Sequence, residues 1–435
     1  MKSANARKQT ILLTAVNAVV RALGLCLRVW MSRQLGAEAM GIMEMTQSVH
    51  MVAIAPLTSG FPVAVSRLTA KAQKPEPILS AGLALVRKAC LFLIPLFCLA
   101  SPWTAKLMGD IRVLPSLWFS TPCMIILGYS AVCNGYCYGI GKSELPALSE
   151  LIEQVLRCLF TVFLLKNLSN LSLPWLAAIP TAATMTAELI GLIFVLKMLP
   201  RSKSATIETN SNRQLMQLAL PITLTRIMQT ALRSLNAIVI PLRLQSTGLS
   251  AAEATAQLGM LNGMIGPFLV LPGIFTSALA MVTGPLVTKA ENDPQRLKRL
   301  LVLTLGTSLP LAVTGCASVM LAAPWIANSL YRQAELTTLF RISAPQMLLM
   351  PLNHMLGNTL SALGQQKRSF YASAVVSAIS LFFTWLLAGN GDLRLEGVIY
   401  AQYIGQILSV MTSSFLLLSH KQPKDLPFTP DDKFA

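Results

Sequence analysis

Charged residues are scarce in this sequence, and so are the residues that most enzymes use for catalysis. Only 12% of the 435 residues are Asp, Glu, Lys or Arg, whereas about 25% is usual for a soluble domain. The three histidines are too few to suggest a His-based triad or a zinc site. Residues 139–143 resemble the end of a phosphate-binding loop, but Tyr136 occupies the position of the first glycine of the full motif. We therefore expect neither an enzyme nor a bound cofactor or metal.

Hydrophobic residues make up 54% of the chain, and the mean hydropathy is +0.59. Apolar runs of about 20 residues, the length that spans a bilayer, occur twelve times. They cover approximately residues 11–32, 46–66, 79–101, 115–138, 145–166, 174–197, 215–242, 257–283, 299–323, 336–361, 369–388 and 397–419. The sequence predicts an all-α polytopic membrane protein with twelve transmembrane helices.

The net charge of +17 comes from basic residues that cluster in the short segments between apolar runs. If the N-terminus is cytoplasmic, 22 of the 35 Lys and Arg residues fall on the cytoplasmic side and 8 on the other. This bias follows the positive-inside rule and places both termini in the cytoplasm. No recognition motif supports nucleic acid as a partner. The eight cysteines lie in or near apolar runs, which argues against a disulfide framework.

The chain divides near its middle into two halves that resemble each other. Arg33–Gly41 follows the first segment, and Arg243–Glu253 follows the seventh. Gly141 and Lys142 end the fourth connection, as Gly364 and Lys367 end the tenth. Six segments per half indicate a parallel repeat with a site between the halves. The predicted organisation is a six-helix bundle over 1–200, a cytoplasmic linker over 201–214, a second bundle over 215–419 and a disordered cytoplasmic tail over 420–435.

Each half begins with a pair of arginines inside an apolar segment. Arg21 and Arg28 lie in the first segment, and Arg226 and Arg233 lie in the seventh. A spacing of seven residues is two helical turns, so both side chains of a pair point the same way. An arginine at bilayer depth costs at least ~2.5 kcal/mol, which argues against exposure to lipid. We expect all four to line a wet cavity that binds an anion, although Arg28 is also near enough to the interface to snorkel.

Four further charged residues lie well inside the fifth and sixth predicted segments. Glu150, Glu153 and Arg157 are on the fifth segment, where Glu153 and Arg157 have the i, i+4 spacing of an ion pair. Glu188 is alone in the sixth. It is a partner for a cavity arginine, a protonatable coupling group, or a neutral hydrogen-bonded residue.

Helix-breaking residues interrupt two of the segments. Gly60 and Pro62 lie in the second, and Pro267, Pro272 and Gly273 lie in the eighth. Such residues give a helix a hinge. Structural kinks without gating fit the same pattern.

An ordered set of motifs extends over most of the chain. The motifs are Arg21-x-x-Gly24-x-x-x-Arg28, Ser32–Gly41, Ser59–Arg67, Asn134-Gly135, Gly139-x-Gly141-Lys142, Ile152–Arg157, Pro221–Thr223 and Gly248–Glu253. This set resembles the family of stage V sporulation protein B and its relatives, which belong to the polysaccharide branch of the multidrug/oligosaccharidyl-lipid/polysaccharide (MOP) superfamily. The resemblance spans residues 10 to 415.

The resemblance implies two six-helix bundles arranged as a V around a central cavity that opens alternately to each side of a bacterial cytoplasmic membrane. Its implied cargo is an undecaprenyl-pyrophosphate-linked saccharide for cell-wall, spore-cortex or surface polysaccharide synthesis. Arginine forks suit the pyrophosphate. Other expected partners are the lipid bilayer and glycan polymerases or glycosyltransferases.

Three functions remain open from the sequence. The first is a flippase for a lipid-linked oligosaccharide or peptidoglycan precursor. The second is a proton- or sodium-coupled multidrug exporter of the same superfamily, although cationic drugs usually need acidic intramembrane sites, and this chain has few. The third is a membrane scaffold or polymerase partner that transports nothing.

Overall fold

The structure, a computed structural model, describes residues 2–199, 209–290 and 293–419. Most of the predicted linker and the whole predicted tail lie outside the described residues. The helices of the first half are α1 (Lys2–Thr58), α2 (Gly60–Lys71), α3 (Glu76–Leu107), α4 (Leu114–Gly139), α5 (Glu144–Asn167) and α6 (Leu173–Met198), with a 3-10 turn at Ile111–Val113. No strand occurs in the described residues.

The second half is divided into more helical segments than the first. They are α7 (Thr209–Gln245), α8 (Ala251–Leu258), a π-helical segment (Gly259–Ile265), α9 (Gly266–Leu269), α10 (Leu271–Lys289), α11 (Pro294–Trp325), a second π-helical segment (Ile326–Tyr331), α12 (Leu336–Ser343), α13 (Gln346–Ala362), α14 (Gln366–Ala388) and α15 (Arg394–Leu418). Helical residues cover all twelve predicted segments almost completely, which confirms their secondary structure.

Seven helices of the described residues are long and apolar enough to cross a membrane. Helices α5 and α7 are not among them, although both are of sufficient length. Both carry charged residues in mid-helix, which lower the hydropathy of any window that includes them. Charged residues inside membrane helices rarely face lipid.

The first two predicted segments are joined without an irregular loop. Helix α1 runs on to Thr58 and is interrupted at Gly36, whose backbone has φ 80° and ψ 176°. This conformation is accessible to glycine and strained for other residues. The chain turns there, so the part of α1 after Gly36 forms a separate rod that packs beside the part before it.

The turns after α4 and α13 are built in the same way. The Lys142 amide donates to the Cys137 carbonyl and the Gln365 amide to the Leu360 carbonyl, each at 2.9 Å. Gly141 and Gly364 have φ of +78° and +70°. Both turns are therefore Schellman caps, which need a left-handed residue at this place. The sequence similarity between the halves corresponds here to a shared backbone conformation.

The two halves meet along the rod that follows Gly36. Near its start, a Cβ at Gly41 would overlap the Thr255 carbonyl of α8. Near its end, a Cβ at Gly60 would overlap the Ala219 carbonyl of α7. Between them, the Ser234 hydroxyl of α7 donates to the Ser48 carbonyl at 2.7 Å. Gly41 in α1 and Gly60 at the start of α2 thus bring the backbones of the two halves into direct contact at both ends of this rod.

Candidate functional site

A cavity of about 750 Å³ lies between the halves. Helices α1, α4, α5 and α6 supply most of its wall, and residues 262–271 of the second half supply the rest. Three arginines line it, namely Arg21, Arg28 and Arg157, together with one carboxylate, Glu44. The wall therefore carries a net positive charge. Uncharged polar side chains, including Gln47, Gln154 and Asn262, and apolar ones such as Leu25 and Met43 complete the lining.

Arg21 and Arg28 differ in their surroundings although they lie on the same face of α1. Arg28 forms an ion pair with Glu44 and donates from Nε to the Gly263 carbonyl oxygen at 2.9 Å. Arg21 is exposed in the cavity and has no ion-pair or hydrogen-bond partner among the described residues. Arg21 therefore presents an uncompensated positive charge to any ligand in the cavity.

A second, smaller cavity of about 310 Å³ lies within the first half. It is lined by the three carboxylates Glu150, Glu153 and Glu188, and by Asn134. Arg157 and Gln154 line both cavities. These two side chains of α5 therefore separate an acidic space from a basic one.

The predicted ion pair between Glu153 and Arg157 is wrong, because Arg157 pairs with a different carboxylate. The Arg157 Nη2 atom lies 2.9 Å from Glu188 Oε1 on α6, and Glu153 instead accepts a hydrogen bond of 2.6 Å from Ser149. A Cβ at Gly191 would overlap the Glu153 carboxylate. Since Gly191 lacks one, this carboxylate packs against α6 and turns away from Arg157. Glu188 is thus the partner of a cavity arginine.

Arg226 and Arg233 do not line the central cavity. Both are exposed on α7. The face of α7 toward the first half carries the buried residues Thr223 and Ser234 instead. Seven residues are close to two helical turns, so Arg226 and Arg233 share one face of α7. The rotation of α7 about its axis decides where that face points. Their part in the site stays a prediction.

The helix-breaking residues lie at interruptions of the helices. Helix α1 ends at Thr58 and α2 begins at Gly60, with Pro62 in its first turn. In the second half, Pro267 follows the π-helical segment in α9, and Pro272 and Gly273 lie in the first turn of α10. Breaks therefore occur where they were expected, while movement about them stays a prediction.

Sequence reasoning missed Glu44, because it lies just before the second apolar run and looks like a loop residue. It also missed a cluster that joins the halves at the start of the same rod. Arg112 pairs with both Asp110 and Glu38, and the Thr255 hydroxyl of α8 donates to Asp110 Oδ2 at 2.9 Å. Burial raises the pKa of the Asp110 carboxyl, but the hydrogen bonds from Arg112 and Thr255 outweigh burial and leave this pKa below its ordinary value.

Comparisons with known proteins agree with this architecture. The family described as polysaccharide biosynthesis protein matches residues 6–291. Stage V sporulation protein B of Bacillus subtilis (strain 168) is 26% identical over 422 residues, which cover 92% of this chain and 81% of that protein.

Several solved structures share the fold, among them a lipid flippase and a multidrug transporter. Lipid II flippase MurJ in an inward closed conformation has a TM-score of 0.76 at 16% identity, covering 94% of this chain and 88% of the other. A MATE family multidrug resistance transporter of the MOP superfamily, in an inward-facing conformation, has a TM-score of 0.75 at 16% identity, covering 95% and 100%.

Proposed function

Because the chain belongs to the polysaccharide biosynthesis protein family, we propose that it is a flippase for a lipid-linked anionic saccharide. The cargo in this proposal is an undecaprenyl-pyrophosphate-linked oligosaccharide or peptidoglycan precursor. The protein moves it across the membrane by alternating access and carries out no covalent chemistry. It is a multi-pass membrane protein with a MOP-type fold, and we place it in the cytoplasmic membrane of a bacterium.

The observation that carries this proposal is the unpaired Arg21 in a cavity with a net positive wall. A pyrophosphate diester carries two negative charges, and arginine forks bind phosphate oxygens with directed hydrogen bonds. The cavity volume of about 750 Å³ lies within the range of ligand sites, roughly 300–1,000 Å³. This space suits a pyrophosphate and its first sugars, while the polyprenyl tail stays in lipid.

The proposal includes the topology and division drawn from the sequence. All twelve segments cross the membrane, both termini are cytoplasmic, and residues 1–200 and 215–419 act as the two bundles. Helix α5 crosses despite its charges because Glu150, Glu153 and Arg157 line cavities rather than lipid, and α7 crosses with Arg226 and Arg233 on an exposed face. The smaller cavity, with Glu150, Glu153 and Glu188, is the candidate site for a coupling cation.

A multidrug exporter coupled to a proton or sodium gradient is the second candidate. Two observations favour it: the fold shared with a multidrug resistance transporter, and the three carboxylates of the smaller cavity. The positive wall of the larger cavity counts against a cationic drug, because like charges repel each other.

The test is reconstitution in liposomes with a fluorescent undecaprenyl-pyrophosphate saccharide, followed by its exposure in the opposite leaflet. We expect the wild-type protein to move this lipid and Arg21→Gln to lose most of the activity. Arg368→Gln is the matched control, because Arg368 is exposed on α14 and does not line the cavity. Gradient-driven efflux of an organic cation, with no lipid movement, would identify an exporter instead.

A further inference from the structure

Arg28 is held by both halves of the protein at once. One guanidinium nitrogen pairs with Glu44 in the first half, and Nε donates to the Gly263 carbonyl oxygen in the second half at 2.9 Å. The side chains of Arg28 and Glu44 are 34% and 18% exposed, and both line the central cavity. The ion pair therefore faces the space where an anionic cargo would lie, and a cargo can reach it.

The Gly263 carbonyl belongs to the π-helical segment Gly259–Ile265. Segments of this kind occur frequently at functional sites. The next carbonyl, that of Met264, accepts a hydrogen bond of 3.0 Å from the Tyr331 hydroxyl. Two successive carbonyls thus accept side-chain donors, and one of those donors comes from the other half.

The two cavity arginines of α1 are consequently unequal before any ligand binds. Arg21 has a free guanidinium, whereas Arg28 is already neutralised by Glu44. The two residues are seven positions apart, which is about 10.5 Å along a helix axis. Two long arginine side chains can therefore converge on the two phosphates of one pyrophosphate, but only if Arg28 exchanges its carboxylate for a phosphate.

We propose that Glu44 is a release residue, whose carboxylate competes with the pyrophosphate of the cargo for Arg28. This inference rests on the proposed flippase function. The first phosphate binds Arg21 without competition, and the second displaces Glu44. When the cargo leaves, Glu44 returns to Arg28, so Arg28 does not retain the lipid. Glu44 thus lowers the affinity for the cargo and raises the rate of its release.

The competition has a signature that depends on the number of charges on the ligand. A lipid with one phosphate between the polyprenol and the sugar carries one negative charge and is satisfied by Arg21. A lipid with a pyrophosphate at the same place carries two and must also take Arg28. Removing the Glu44 charge should therefore strengthen binding of the second lipid and leave the first almost unchanged.

The experiment measures binding of these two lipids, with the same sugar, to the full chain in nanodiscs at fixed ionic strength. We expect Glu44→Gln to bind the pyrophosphate lipid about fivefold more tightly than wild type, which is the effect of one partly exposed charge pair. Its affinity for the single-phosphate lipid should stay within about twofold of wild type. In liposomes the same variant should show a lower KM and a lower kcat for movement of the pyrophosphate lipid between leaflets. Glu38→Gln is the matched control, since Glu38 also pairs with an arginine, Arg112, but does not line the cavity.

A second comparison tests whether Glu44 acts through Arg28. In an Arg28→Gln background, Glu44→Gln should no longer tighten binding. If Glu44→Gln fails to fold, Glu44→Asp keeps the charge with a shorter reach and should tighten binding by less than fivefold. Weaker or unchanged binding of the pyrophosphate lipid by Glu44→Gln would overturn the inference, as would equal tightening for both lipids. If wild type binds neither lipid, the proposed function itself fails.

Discussion

Replacing Glu188 by glutamine removes the carboxylate that neutralises Arg157. The Arg157 guanidinium would keep a weak contact of 3.4 Å with Gln154 and lose its charge partner at 2.9 Å. Breaking a fully buried pair costs about 3–5 kcal/mol, and an exposed pair is worth less than about 1 kcal/mol. Since Arg157 is 30% exposed and Glu188 is 11% exposed, we expect Glu188→Gln to lower the free energy of unfolding by about 1–3 kcal/mol.

The double variant Arg157→Gln with Glu188→Gln isolates the pair. It leaves no uncompensated charge, so its loss of stability should be smaller than the sum of the two single losses, with a coupling of about 1–2 kcal/mol. Chemical denaturation of the purified protein in detergent measures all four states of the cycle. Glu150→Gln is the control, because Glu150 is exposed in the same small cavity, and it should change stability by less than about 0.5 kcal/mol. Additive single effects would refute the Arg157–Glu188 contact.

Two further predictions concern the junction between the halves. Gly41→Ala should cost about 1–3 kcal/mol of stability by overpacking, because the new Cβ would overlap the Thr255 carbonyl. Gly24→Ala is the control and should cost little, since the nearest neighbour of its new Cβ would be Gln154 Nε2 at 3.6 Å. Equal melting temperatures for the two variants would contradict the close approach at Gly41. The pKa of Asp110 is lowered in the folded protein, so this carboxyl stabilises the protein above its unfolded pKa of about 3.9 and loses that contribution as pH falls through the folded pKa. The stability difference between wild type and Asp110→Asn should thus shrink below about pH 4, and a difference that grows on acidification would count against the Asp110 cluster.

The apolar runs, the helices and the family were all predictable from the sequence, because they depend on local properties of the chain. A bilayer demands about 20 apolar residues per crossing and satisfies backbone groups only within a helix. The shared face of Arg21 and Arg28 follows equally from helical periodicity within one segment. The ordered motifs identified the family because they extend over most of the chain, and the family match over residues 6–291 confirms it.

The tertiary structure decided which charges meet. Arg28 pairs with Glu44 across the turn at Gly36, Arg157 pairs with Glu188 on another helix, and Thr255 reaches Asp110 from 145 residues away. Periodicity fixes the angle between residues on one helix, but it does not fix how that helix is rotated against its neighbours. That rotation depends on close contacts such as the one at Gly191. It turns Glu153 away from Arg157 and leaves Arg226 and Arg233 exposed on α7. No single segment of the sequence contains these outcomes.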